Sequence, residues 1–239
     1  MAGHSHWNNI QRRKGAVDKK RAKVWGKIAK KIMVAAKRGA DVSMNLSLRY
    51  IVDDAKAANM PKDTIQKAID KGSGASGTDN FEDVTYEAYG PGGVAMILEA
   101  LTDNRTRTAS DLRTIFDRSG GNLATTGSVS FQFSKVGIIT VKSDLVSEER
   151  LMEVALDGGA QDVLNHGEVI EVHTAPTDFH RIKDVIETAK IAIENAQLTR
   201  LSSTSVVLDG DMSAKMNKLL DNLEDNDDVQ DVFHNAEMQ

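Results

Sequence analysis

Hydrophobic positions recur every three or four residues along residues 18–38, which predicts an amphipathic helix. At 100° per residue, the apolar side chains fall within about half a turn. The residues on this face are Val24, Trp25, Ile28, Ala29, Ile32, Met33 and Ala36. Asp18 is well placed to cap the helix and Gly39 to end it. The opposite half of the helix carries mainly lysine.

Two more short helices are predicted after the first. One runs from about Ser43 or Asn45 to Ala58, and the next opens at Pro61 and ends before Gly72. Three short helices joined by tight turns predict a small helical domain. Residues 72–78 then read GSGASGT, a composition typical of a flexible linker.

Beyond the linker the pattern changes to strands and helices. The predicted elements are strands at Val84–Tyr89 and Val94–Leu101 around the hairpin turn GPGG, a helix at Arg105–Ser119, a strand at Ser128–Phe133, a helix at Asp211–Leu223 and a strand at Val229–His234. We expect the last two elements to complete the sheet that begins at Val84.

Residues 136–208 show a different order of elements. The predicted elements are strand Gly137–Val141, helix Ser147–Leu156, strand Gln161–Leu164, strand Glu168–His173, helix Asp178–Asn195 and strand Leu198–Leu208. This β-α-β-β-α-β order is the ferredoxin-like signature. We therefore expect an α+β protein with an N-terminal three-helix domain followed by two α/β domains, the third inserted into the second. The expected domains are residues 1–78, residues 79–134 with 209–239, and residues 135–208.

Charge is distributed very unevenly along the chain. Residues 1–72 carry 17 Lys or Arg against six Asp, a net +11, so the remainder must carry −16 to give the total of −5. The whole excess lies in residues 1–38, where Asp18 is the single acid, so acids at i+4 do not offset the repulsion as they usually do on a solvated face. This pattern predicts a polyanion partner, with an acidic protein surface or membrane headgroups as alternatives. The candidate nucleic-acid-binding residues are Arg12, Arg13, Lys14, Lys19, Lys20, Arg21, Lys23, Lys27, Lys30, Lys31, Lys37 and Arg38.

A second candidate anion site lies in residues 102–108, which join a predicted strand to a predicted helix. Free N–H groups at a helix start attract anions, and Arg105 and Arg107 would add two positive charges. Asp103 or Thr106 can cap this helix. Capping combined with local salt bridges explains the same residues equally well.

Catalytic, cofactor and metal sites are not expected. The sequence has no cysteine, which excludes a disulfide framework and a thiol nucleophile, and it has no HExxH, P-loop or dinucleotide-binding motif. Its apolar runs are only a few residues long, and no apolar stretch follows the N-terminal charges, so we expect a cytoplasmic protein without a membrane partner. The sequence does not specify the oligomeric state, and a monomer is one of the states it allows. The acidic residues near the C-terminus should point away from the basic helix when nucleic acid is bound.

Four segments closely resemble the YebC family. They are AGHSHWNNIQRRKG (Ala2–Gly15), AANMPKDTIQKAI (Ala57–Ile69), YGPGGVAMILEALTDNRTRT (Tyr89–Thr108) and GGNLATTGSVSFQF (Gly120–Phe133). The resemblance covers essentially the whole chain and implies three domains, the third inserted into the second, and a non-enzymatic role in gene expression. Family members are described as probable transcriptional regulators that bind DNA, and others as ribosome-associated translation factors. This chain departs from the usual family pattern at Gly39–Leu46, so its first inter-helix turn is expected to differ.

The sequence therefore predicts a nucleic-acid-binding regulator of gene expression without catalysis of its own. The alternative is a ribosome-associated translation factor that binds ribosomal RNA and assists elongation. Phosphate contacts position a protein without reading sequence, and no predicted helix is rich in base-reading Asn, Gln and Arg, which favours structured RNA. The family descriptions favour DNA. An enzyme that acts on a phosphorylated small molecule is a distant third interpretation.

Overall fold

The computed structural model describes residues 17–74 and 81–238, with side chains from Ala22 onward. Its elements, in order, are α1 (Val17–Ala36), α2 (Leu46–Ala57), α3 (Lys62–Ser73), β1 (Glu82–Tyr89), β2 (Ala95–Thr102), α4 (Arg105–Ser119), β3 (Asn122–Ala124), β4 (Phe133–Lys142), α5 (Glu148–Asp157), β5 (Asp162–Asn165), β6 (Val169–Thr174), α6 (Phe179–Thr188), β7 (Asn195–Ser202), β8 (Val206–Leu208), α7 (Gly210–Asp225), β9 (Val229–His234) and β10 (Ala236–Met238). The expected α+β class is confirmed, with helices first and sheet-containing parts after them. Residues 75–78 of the predicted linker lie outside the described residues.

The three N-terminal helices pack around their own apolar core. Its fully buried side chains include Ile32 of α1 and Leu48 and Ala55 of α2. Asn45 begins α2 by accepting a hydrogen bond from the Leu48 N–H, and its amide also donates to the carbonyl of Ala35 near the end of α1. One side chain therefore fixes the turn between the first two helices.

The middle sheet has the strand order β3-β1-β2-β9, and all of its paired strands are antiparallel. Helices α4 and α7 cover one face through a core that includes Leu112 and Phe116 from α4 and Leu219 from α7. The C-terminal strand β9 pairs with β2, so α7 and β9 complete the sheet that begins with β1, as the sequence predicts. The short strands β8 and β10 form a separate parallel pair.

Residues 131–205 form a second compact unit, while the described residues before and after it form the first. Its four antiparallel strands have the order β5-β6-β4-β7, which with helices α5 and α6 is the ferredoxin-like arrangement. The core between sheet and helices includes Ile139, Val172, Leu151 and Ile182. The domain boundaries given above stay predictions.

The predicted strand at Ser128–Phe133 is wrong. Strand β3 lies earlier, turns occupy residues 126–129, and a short 3-10 turn at Ser130–Gln132 leads into β4. The cause is Glu87, a buried carboxylate on β1. Its oxygens accept hydrogen bonds of 2.7, 2.7 and 3.0 Å from the backbone N–H groups of Gly127, Val129 and Ser130. These N–H groups are therefore not available to a strand ladder.

Two further predicted elements are shorter than expected. The predicted helix over Asp178–Asn195 ends at Thr188, because Lys190 has a φ of 61° and the Ile191 N–H closes back on the Ile186 carbonyl. The predicted strand over Leu198–Leu208 is two strands, β7 and β8, which belong to different units. None of the described helices is both long enough and apolar enough to cross a bilayer.

Candidate nucleic-acid interface

The described lysines of helix α1 lie on the side opposite its apolar face. Lys27 follows Lys23 by four residues, and Lys30 and Lys31 follow Lys27 by three and four residues. Side chains at these spacings lie on one face of a helix, and we call these four residues the lysine row. Trp25 lies on the apolar face as predicted, packs against the helical core and donates from Nε1 to the Ala58 carbonyl at 3.1 Å. The local pattern thus gives α1 two chemically distinct sides.

Residues 224–231, here called the acidic segment, lie directly against the lysine row. This segment is the end of α7, the following turn and the start of β9. The contacts are Lys23 Nζ to Asp225 Oδ1 at 3.0 Å, Lys27 Nζ to the Glu224 carbonyl at 3.0 Å, Lys30 Nζ to the Asp227 carbonyl at 2.8 Å and to Asp228 Oδ1 at 3.0 Å, and Lys31 Nζ to Asp231 Oδ2 at 3.2 Å. All four ammonium groups therefore bind oxygen atoms of one continuous stretch of chain.

The ion pairs differ in their exposure to water. The side chains of Lys23 and Asp225 are 43% and 53% exposed, whereas those of Lys30 and Asp228 are 20% and 9% exposed. Exposed pairs contribute about 0–1 kcal/mol each, since water and salt screen them. Burial lowers the pKa of Lys27, and the carboxylates of Glu224, Asp231 and Asp227 only partly oppose that shift. The middle of the lysine row is therefore the better shielded part.

Asp228 is the centre of a small polar network. Its Oδ1 accepts from Lys30, and its Oδ2 accepts from Arg107 Nη2 at 2.8 Å and from the Thr108 hydroxyl at 2.8 Å. Burial alone would raise the pKa of this carboxyl. The hydrogen bonds from Arg107, Thr108 and Lys30 outweigh that effect and lower the pKa to about 2.

The arginines of the second candidate site face carboxylates of the same chain. Arg107 Nη2 lies 2.7 Å from Asp103 as well as 2.8 Å from Asp228, and these hydrogen bonds raise the pKa of its guanidinium. Arg105 Nη1 lies 3.7 Å from Glu82. Asn104, and not Asp103 or Thr106, caps α4 by accepting from the Arg107 N–H. Both arginines therefore have local ion-pair partners. Local salt bridges are one of the two interpretations that the sequence allows for these residues, the other being an anion site.

The remaining candidate residues lie at the edges of the described chain. Lys37 and Arg38 are exposed just after α1. Arg12, Arg13 and Lys14 lie outside the described residues. Lys19, Lys20 and Arg21 belong to α1, but their side chains are not among those described.

The expectation that the charge of the basic helix is uncompensated needs correction. The compensating acids are not at i+4 on α1 but about 200 positions later, in the acidic segment. The sequence predicts only that the acidic residues near the C-terminus point away from the basic helix when nucleic acid is bound. The opposite net charges of the N-terminal segment and of the rest of the chain are a signal that the two could pair. The sequence alone does not show which acidic residues contact the helix. In the described part of the chain, no His, Asp and Glu side chains are grouped to hold a metal ion.

Comparison with known proteins assigns this arrangement to a family. The sequence model of the family described as "TACO1/YebC protein N-terminal domain" matches residues 5–75, and the family model described as "TACO1/YebC second and third domain" matches residues 81–236. The chain belongs to the TACO1/YebC family. The resemblance predicted from the four sequence segments is thereby confirmed.

Relatives of the TACO1/YebC family match the chain from end to end. A protein of Enterococcus faecalis (strain ATCC 700802 / V583), named a probable transcriptional regulatory protein, is 46% identical over 240 residues and 99% of each chain is covered. A protein of Methylococcus capsulatus with the same kind of name is 50% identical, with 100% of this chain and 96% of the relative covered. The crystal structure of the conserved hypothetical protein Aq1575 from Aquifex aeolicus superimposes with a TM-score of 0.81 at 41% identity, covering 93% of both chains. The first two of these relatives are thus named as probable transcriptional regulatory proteins.

Proposed function

We propose that this chain is a cytoplasmic, non-enzymatic regulator of gene expression that binds nucleic acid through helix α1 and the basic residues before it. One observation carries the proposal. The lysine row binds carbonyl and carboxylate oxygens along a continuous segment, which is the type of ligand that a phosphate backbone also presents. This arrangement supports a binding site for an extended anionic chain at the lysine row.

The length of the row suits several phosphates at once. Lys23 and Lys31 are eight residues apart on α1, which is about 12 Å at 1.5 Å per residue. Duplex DNA presents a phosphate charge every 1.7 Å or so of its axis, hence about seven charges over that length. Such contacts bind and position the protein but do not read sequence.

The choice between DNA and RNA rests on two different observations. The names of the relatives favour DNA as the target. In contrast, α1 contains no Asn or Gln and so lacks the side chains that pair with adenine in the major groove. That composition supports the second candidate, a translation factor that recognises structured ribosomal RNA by its backbone and shape.

Replacing three lysines tests the binding surface. In the variant Lys23→Gln/Lys27→Gln/Lys31→Gln, affinity for duplex DNA or structured RNA should fall. The slope of log K against log salt should flatten by about 0.9 for each duplex phosphate that the variant no longer neutralises. Lys30 is retained because it binds the buried Asp228. Filter binding or fluorescence anisotropy at several salt concentrations measures both quantities.

A matched variant removes the same charge elsewhere. Lys62→Gln/Lys67→Gln/Lys218→Gln changes exposed lysines of α3 and α7 and should keep most of the slope. Equal decreases in the two triple variants would show that only net charge matters, and the α1 surface would be rejected. Crosslinking in cells followed by sequencing of the attached nucleic acid then separates the targets. Promoter DNA would exclude the ribosomal candidate, and ribosomal RNA would exclude direct promoter control.

A further inference from the structure

We infer that the acidic segment is an internal competitor for the lysine row, so nucleic acid binds α1 only when the lysine row has separated from residues 224–231. This inference rests on the proposed function and specifies how that site is regulated. The lysine ammonium groups that would contact phosphates are the groups that hold Asp225, Asp231 and the backbone carbonyls of the acidic segment. Both ligands cannot occupy the same Nζ atoms in the same geometry.

The contact is of a kind that can open. The apolar face of α1 packs with α2 and α3 around Ile32 and Leu48, whereas the sheet core is built around Phe116 and Leu219. These two cores share no residue. The contacts described between α1 and the acidic segment are ion pairs and lysine–carbonyl hydrogen bonds. Salt and competing anions weaken the two exposed pairs, Lys23–Asp225 and Lys31–Asp231, most. Opening therefore breaks polar contacts without dismantling either core.

The acidic segment keeps its own support when the lysines leave. The Asp228 carbonyl accepts a 2.8 Å hydrogen bond from the Leu101 N–H, and β9 pairs with β2 along the sheet. The Asp228 carboxylate also retains Arg107 and Thr108 as donors after Lys30 departs. The segment is thus a fixed part of the sheet edge, and α1 moves away together with α2 and α3, with which it shares a core.

Competition of this kind selects for polymers. A ligand has to replace contacts at four lysines together, and a nucleotide with one phosphate can replace only one or two of them. A nucleic acid presents its phosphates in a row and can replace them all. We therefore expect the closed protein to bind oligonucleotides above a threshold length and to ignore mononucleotides.

Neutralising the two exposed carboxylates tests the competition. The variant Asp225→Asn/Asp231→Asn removes two exposed competitor groups and leaves Asp228 in place. Its affinity for a 30-base-pair duplex and for a structured RNA of similar size should rise by up to about 30-fold, the upper limit expected for two exposed ion pairs. Circular dichroism and thermal unfolding check that the variant is folded.

The control changes the same net charge away from the lysine row. Asp111→Asn/Asp117→Asn replaces two exposed acids of α4, and its affinity should stay within about twofold of wild type. An equal increase in both double variants, or no increase in the first, would overturn the competition. A selective increase for Asp225→Asn/Asp231→Asn supports it.

Locking the contact gives an independent measurement. The natural chain has no cysteine, so the variant Lys23→Cys/Asp225→Cys can be joined selectively with a short bismaleimide. Both preparations lack Lys23, so the reference is the same variant treated with a monofunctional maleimide. This reference should keep the reduced binding that the remaining lysines support, whereas the crosslinked protein should bind nucleic acid much more weakly than the reference. Unchanged binding after crosslinking would overturn the inference. If the triple lysine variant also binds normally, the proposed function fails as well; if that variant does not bind, only the competition fails.

Discussion

Asp228 shows how a buried side chain can remain charged. The residue is 6% exposed, yet cationic and hydroxyl donors hold its carboxylate, and its pKa is lowered to about 2. An unfolded aspartate has a pKa of about 3.9. Because the folded pKa is the lower one, ionised Asp228 stabilises the fold above about pH 4, and this stabilisation is lost as pH falls towards 2.

Replacing Asp228 by asparagine should reveal this contribution. We expect Asp228→Asn to lower the free energy of unfolding by about 3 kcal/mol at pH 7, because Arg107 and Lys30 are then left without a buried anionic partner. The difference from wild type should shrink between about pH 4 and pH 2, where the wild-type carboxylate also becomes protonated. Urea unfolding of both proteins across this pH range measures the difference in their free energies of unfolding. The exposed neighbour substitution Asp227→Asn is the control, and an equal destabilisation at pH 7 and pH 2 would contradict the electrostatic explanation.

Helices α1 and α3 come into direct backbone contact at Gly72. A Cβ atom at this position would lie 2.3 Å from the carbonyl oxygen of Met33, which is well inside van der Waals contact. Glycine therefore permits the closest approach between the two helices. The three-helix core depends on this approach, because its small apolar residues Ala35, Ala36 and Ala68 fill little space.

Substitution at Gly72 should thus destabilise the helical part selectively. We expect Gly72→Ala to cost about 1–3 kcal/mol, since backbone atoms have to move apart. Gly26→Ala on α1 is the matched control because a Cβ there meets nothing within 4 Å, and it should stabilise the helix by up to about 1 kcal/mol. Hydrogen exchange of α1 and α3 amides, together with thermal unfolding, distinguishes the two effects. Equal behaviour of the two alanine variants would rule out the close contact.

Elements with strong local signals could be predicted from the sequence. Helix α4 and strand β9 begin and end at the predicted residues, since capping groups, glycine and strand-forming residues mark their limits. The conformation of residues 126–132 could not be predicted because Glu87, about 40 positions earlier, binds the backbone N–H groups of Gly127, Val129 and Ser130. Strand β10 has no comparable local signal, because its pairing with β8 joins residues that are distant in sequence. The same holds for the candidate site. The lysine row could be predicted from the sequence, whereas its contact with residues 224–231 could be seen only in the structure.

Over the whole molecule, the opposite charges of the two ends are partly brought together. The basic residues of α1 and the acids of the acidic segment form ion pairs across about 200 positions of sequence. The free protein therefore presents a weaker positive field than its first 38 residues suggest. Binding to nucleic acid then depends on two electrostatic equilibria, the internal pairing and the external pairing, and both respond to salt.

The salt dependence of these two equilibria should separate wild type from Asp225→Asn/Asp231→Asn. Rising salt weakens phosphate contacts, but in wild type it also weakens the internal pairs and so favours opening. The affinity of wild type should accordingly fall less steeply with salt than that of the variant, and the two affinities should converge by about 0.5 M salt. Affinities are compared with Asp111→Asn/Asp117→Asn, which has the same net charge as the test variant, by fluorescence anisotropy from about 50 mM salt upward. Parallel salt curves for all three proteins would mean that the internal pairs stay closed during binding, whereas convergence confined to the test variant places the competition at Asp225 and Asp231.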